Sequence, residues 1–180
     1  MLAYPAVLRF WFEELSPAQW WKVDPALDRL ITERFSGLHA QAARAELFKW
    51  RREPEGRLAE ILVLDQFSRN MHRGDGRAFE NDGLALALAQ EAVAANADAA
   101  LPVEQRAFLY MPYMHSESRL IHEVAERLFR ENASQDSHDF ELRHKAIIDR
   151  FGRYPHRNAL LGRESTPEER TFLAQPGSSF

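Results

Sequence analysis

The run Arg150-Phe151-Gly152-Arg153-Tyr154-Pro155-His156-Arg157-Asn158 puts three arginines, a histidine and an asparagine into nine residues with no acid among them. These residue types suit an anion, because a guanidinium offers a planar fork of N–H donors that matches carboxylate or phosphate oxygens. From Arg143 to Arg163 six Arg/Lys face the single acid Asp149, in a chain whose net charge is -4. A structural reading competes: Arg150 in the last turn of its helix favours the negative end of the helix dipole, and arginines also neutralise neighbouring carbonyls.

Three further clusters carry chemistry. Leu58, Ile61, Leu62, Asp65 and Arg69 fall on one helical stripe, so an acid and a base four residues apart continue an apolar face. That is either a buried ion pair or a device by which Asp65 orients Arg69 and Asn70 toward a ligand. Phe140, His144, Ile147 and Phe151 form another stripe, in which His144 is either a hydrogen-bonded core residue or a ligand contact. In Tyr110-Met111-Pro112-Tyr113-Met114-His115-Ser116-Glu117, His115 and Glu117 lie on different helix faces and converge only if the chain bends, as Pro112 allows. A capping Ser116 beside a solvated Glu117 explains the same residues.

These clusters nominate His115, His144, His156 and Glu117 for acid–base work. Asp65, Arg69, Asn70, Arg150, Arg153, Arg157 and Asn158 are the expected contacts of a small anionic ligand, a phosphate ester or a carboxylate. A His/carboxylate metal-dependent hydrolase is an alternative without HExxH or comparable spacing behind it, so no metal ligand and no cofactor is assigned.

The elements that must position these residues read as helices throughout, with no convincing alternating strand. Helix signals begin near Pro5, at the capping box Ser16-Pro17-Ala18-Gln19 and at Asp24-Pro25. Glu53-Pro54-Glu55-Gly56 reads as a turn before an apolar helix from Leu58 to about Met71. Later helices are expected over Leu84–Ala95, closed around Asn96; from Val103 to Met111-Pro112, where proline ends or kinks the helix; over Glu117–Asn132; and from Phe140 to Phe151, ended by Gly152. Arg73–Asn81 and Ser134–Asp139 read as polar connectors, and Thr166-Pro167-Glu168-Glu169 opens a last short helix. The expectation is all-α, with about seven or eight helices in stacked antiparallel pairs and no internal repeat of fixed period.

At 180 residues, with 45% apolar and 28% charged residues, the chain fits one globular domain spanning 1–180. It has no cysteine, which removes disulfides, thiolate nucleophiles and Cys-ligated metals. The N-terminus lacks signal-peptide features and the apolar runs are too short or too interrupted to span a bilayer, so no membrane partner and a cytoplasmic location are expected. Mild overall acidity argues against a nucleic-acid partner, and no feature marks an oligomeric state.

Leu8-Arg9-Phe10-Trp11-Phe12, Trp20-Trp21, Leu64-Asp65-Gln66-Phe67-Ser68-Arg69-Asn70, Ala78-Phe79, Tyr110-Met111-Pro112, His115-Ser116-Glu117, the Arg150–Asn158 run and Leu161-Gly162-Arg163 together resemble a mainly bacterial family, domain of unknown function 924, over nearly the whole chain. The resemblance implies an all-α right-handed superhelix similar to tetratricopeptide proteins and brings no established activity. The chain departs from the family pattern at Ser68, where proline is common, and at His122, where glutamine is expected. A tetratricopeptide-like superhelix would also serve as a peptide- or protein-binding module, since stacked helix pairs curve into a concave surface.

Overall fold

Proline placement and capping start most of the helices in the computed structural model, which describes residues 4–180. Helix α1 (Tyr4–Arg9) runs on through a π turn, Phe10–Glu14, and the Ser16 capping box opens α2 (Pro17–Trp20). Asp24 caps α3 (Pro25–Ala43), accepting from the backbone N–H groups of Ala26 and Leu27. Its buried side is Leu27, Ile31, Phe35, Leu38, His39 and Ala42, one face at helical spacing.

The apolar helix starts earlier than the sequence indicates. Pro54 occupies the first helical position of α4 (Pro54–Leu62), so Glu53–Gly56 is a helix start and not a separate turn. The helix continues through a second π turn, Val63–Phe67, into α5 (Ser68–Met71). A side chain at Gly56 would collide with the Trp50 carbonyl, which explains a glycine inside this helix. All five residues of the π turn are buried, and the turn packs against α3, α4, α5 and α6 (Asp82–Ala94).

Helix α7 (Val103–Met114) passes through Pro112 and ends three residues later than expected, with the change of direction at His115. Pro112 lies in the last turn, so the bond its missing N–H would have given to the Phe108 carbonyl is lost just before the helix ends. Helix α8 (Arg119–Asn132) follows, and α9 (Gln135–Phe151) begins at once after its cap Ser134, absorbing the expected polar connector. Gly152 then closes α9 at φ 70°, a conformation that costs glycine little. The Thr166 capping box opens α10 (Pro167–Leu173).

The described residues are thus helical, without a strand. Helix α4 packs against α1, α6 and α7, while α6, α7, α8 and α9 each pack against the next. A continuous core joins Val7, Phe10 and Trp11 to Phe35, Leu58–Leu64, Phe67 and the buried face of α7. No helix among the described residues is long and apolar enough to cross a membrane.

Candidate functional site

Asp65 sits in the π turn and is 1% exposed. Such single-turn widenings of a helix recur at functional sites. One carboxylate oxygen, Oδ1, accepts from His115 Nδ1 at 2.7 Å and forms an ion pair with Arg69 Nη1 at 3.1 Å, and Oδ2 accepts from Gln66 Nε2 at 2.6 Å. Burial alone would raise the pKa of Asp65, but the Arg69 guanidinium, followed by His115, holds it well below the usual carboxylate range. Asp65 is therefore anionic and can only accept, which fixes the His115 proton on Nδ1. Burial and the Arg69 charge lower the pKa of His115 against the pull of Asp65, leaving a neutral imidazole at pH 7. Its Nε2 has no hydrogen-bond partner among the described residues, and the ring lines a cleft of about 330 Å³. A carboxylate-held imidazole with a free Nε2 is the arrangement of a general base.

Arg157 borders this cleft, and Arg69, from a distant segment, stands behind it on Asp65 and Asp82. Arg69 donates to both oxygens of Asp82, at 2.8 and 3.0 Å, and to the Asp65 carbonyl at 3.0 Å. Arg157 reaches the same Asp82 at 3.4 Å and the His115 carbonyl at 3.1 Å, and its guanidinium carbon lies 4.5 Å from the centre of the Phe79 ring and 4.7 Å from that of Tyr154. Arg157 is 5% exposed, yet its Nε is buried with no partner. So the helix around Arg69 and the 150–158 run do meet, across the start of α6, with Asp82 between them.

The other basic residues of the run are bound elsewhere. Arg153 clamps Glu169 through Nε and Nη2 at 2.7 and 2.8 Å and donates to the Glu164 carbonyl; Arg150 pairs with Glu168 at the surface. Asn158 donates to Ser165 and Glu169 and accepts from Arg163. Glu117 borders the cleft but is held by Arg163 at 2.6 and 2.9 Å and by the Tyr154 backbone N–H at 2.7 Å. Asn70 points to the opposite side of its helix and donates to Asp28, which Arg73 also binds.

His144 and His156 gather with Phe180 around the Tyr154 ring and do not line the cleft. Burial pushes His144 down to about 3 and His156 down to about 4. His144 Nδ1 donates to the Phe140 carbonyl, whereas His156 Nδ1 has no partner among the described residues.

His122 is fully buried with Glu141. Its Nδ1 lies 2.7 Å from Glu141 Oε1 and its Nε2 lies 2.8 Å from the Ser116 carbonyl. A carbonyl only accepts, so Nε2 carries a hydrogen and donates to it, while Nδ1 faces the Glu141 carboxyl group. Burial raises the Glu141 pKa against the pull of His122. This pair ties α8 and α9 to the segment that carries His115.

Sequence reasoning assigned none of Asp82, Phe79, Arg163 and Glu169 to the site, although Phe79 and Arg163 stand in the motifs that carry the family resemblance and Glu169 in a capping box. Asp82 gives only the signal of an acid in a first helical turn, which is also an ordinary dipole contact. Among the described residues no group of three or more His, Cys, Asp or Glu is arranged to hold a metal ion, so the metal-hydrolase alternative has no donor set behind it.

A solved structure of a protein of unknown function from Agrobacterium tumefaciens is similar to this chain, with a TM-score of 0.91 and 37% identity over 95% of this chain and 96% of that one. No functionally curated protein shows significant similarity. The family model described as "Bacterial protein of unknown function (DUF924)" matches residues 7–177, which takes in Asp65, Asp82, His115 and Arg157 together, and the chain belongs to that family.

Proposed function

We propose that the His115 cleft binds a small anionic molecule, with Arg157 as its charge partner and His115 Nε2 accepting or returning a proton under the control of Asp65. The observation that carries this reading is the convergence in one cleft of a carboxylate-held imidazole with an unpartnered Nε2 and a buried guanidinium whose hydrogen bonding is incomplete. Arg69 serves the site through Asp65 and Asp82, which it holds in place. A peptide groove along a tetratricopeptide-like superhelix would draw its lining from successive helices. The polar residues of this cleft come instead from the 76–83 segment, the end of α7 and the 155–161 loop, as a small-ligand pocket requires.

Binding to the folded state alone raises the melting temperature, by about 3 °C for a chain of this size when the ligand stands tenfold above its dissociation constant. Differential scanning fluorimetry with millimolar hexanoate or 3-phenylpropionate, and with phosphate as a second class of anion, is expected to show such a rise with at least one of them in the native protein, in Arg150→Ala and in Arg153→Ala. The rise is expected to vanish in Arg157→Met, and a chelator should change nothing. A shift that survives Arg157→Met but is lost in Arg150→Ala would move the anion to the surface of α9 and overturn the reading.

A further inference from the structure

The charges around the cleft limit what it accepts. Arg69 is saturated, with Asp65 at 3.1 Å and both oxygens of Asp82 at 2.8 and 3.0 Å. Arg157 has one long acid contact, 3.4 Å to Asp82, and a buried Nε without a partner. Glu117 is neutralised by Arg163, but Glu80 also borders the cleft and makes no ion pair among the described residues. One cation is therefore incompletely compensated, and a second negative charge on the ligand would face the carboxylates of Asp82 and Glu80.

The side-chain donors of the cleft are the Arg157 guanidinium and the Ser116 hydroxyl, whose oxygen accepts from the Ser118 N–H and whose own hydrogen is left to donate, while His115 Nε2 is an acceptor in the neutral ring. A phosphate monoester brings close to two charges, of which this cleft balances one, on Arg157. The Arg157 guanidinium, packed over Phe79 and Tyr154, has its plane held and donates along its edge, which matches a planar carboxylate. The remaining walls are apolar, from Phe79, Leu86, Pro112 and Leu161.

From these three features we infer that the ligand is a monoanionic carboxylate with an apolar body, its carboxylate on Arg157 and its body against Leu86, Pro112 and Leu161. This rests on the anion-binding reading above and narrows it. The volume of about 330 Å³ is at the small end of ligand sites, so the body is a short chain or a single ring.

Isothermal titration calorimetry on the full chain tests it, with 3-phenylpropionate and hexanoate as probes, their primary amides, and 2-phenylethyl and pentyl phosphate as matched dianions. At least one carboxylate is expected to bind, with its amide and its matched phosphate each weaker by about tenfold or more, since a charge-assisted bidentate pair is lost or a second charge repelled. Acetate, which lacks the body, is expected to be weaker by a similar factor. Arg157→Met should abolish binding. Leu161→Ser, at a position 40% exposed where folding is not at stake, should weaken hexanoate several-fold and leave acetate unchanged. Phosphates binding more tightly than the carboxylates, or amides binding equally well, would overturn this inference while an anion site or a polar site remained. Silence from every probe, together with no anion effect on melting, would overturn both readings.

Discussion

Replacing Asp65 with alanine is expected to lower the unfolding free energy by about 3–5 kcal/mol, the cost of breaking a buried ion pair from one side. Asp65 is 1% exposed, accepts from His115 and Gln66, and is ion-paired with Arg69. Without it, Arg69 keeps Asp82, but its charge is less well balanced against the nearby Arg157. The His115 Nδ1–H is left with no acceptor in a buried place. Arg153→Ala is the comparison. It strands the nearly buried Glu169, which retains the Thr166 backbone N–H and Asn158 as donors, so a loss of about 1–3 kcal/mol is expected. Arg153 is thus a strut between the 150–158 run and α10, and more costly to lose than a free loop arginine. Urea denaturation of the two variants checks the order. Equal midpoints would mean that Asp65 has access to water and that the dyad with His115 is not sealed.

Acidification from pH 7 to pH 4 is expected to remove on the order of 6 kcal/mol of stability through His144 and His156, at about 1.4 kcal/mol per unit of pKa difference. Both are held neutral by burial, at about 3 and about 4, against the ordinary histidine value of 6.5. The unfolded chain binds their protons as the pH falls through 6.5 while the native chain does not, so the unfolded state gains. Stability is therefore fully present above 6.5 and falls toward 4. His115 and His39, whose pKa values burial also lowers, act in the same direction. The strongly depressed carboxylates work in a lower window: Glu169, held down to about 2 by Arg153, loses its contribution only as the pH drops below about 4.5. Urea midpoints measured across this range should fall steadily in the native protein and less steeply in His144→Leu. An unchanged slope in that variant would place His144 in contact with solvent.

The helical class and the helix ends were legible because they are local. Ser16, Asp24 and Thr166 sit directly before Pro17, Pro25 and Pro167, and Gly152 directly follows α9. The Asp65–Arg69 pair was legible for the same reason, being four residues apart on one helix. What could not be read was which acid each arginine meets. Arg157 and Arg153 look alike in the chain, yet one faces Asp82, seventy-five residues away, and the other Glu169, sixteen residues on. That choice depends on tertiary packing, and so did the separation of His115 from His144 and His156. The π turn at Val63–Phe67 has no sequence signature of its own, since its residues would continue an α-helix equally well.

The central claim is that an anion reaches the molecule beside His115 Nε2. Nitrogen-15 NMR of histidine-labelled protein at pH 7 observes that atom directly. The account predicts a neutral His115 protonated on Nδ1, with an Nε2 resonance that moves as 3-phenylpropionate or hexanoate is added while those of His144 and His156 stay in place. A His115 protonated on Nε2, or an anion titration that moves His144 or His156 and leaves His115 unchanged, would contradict it.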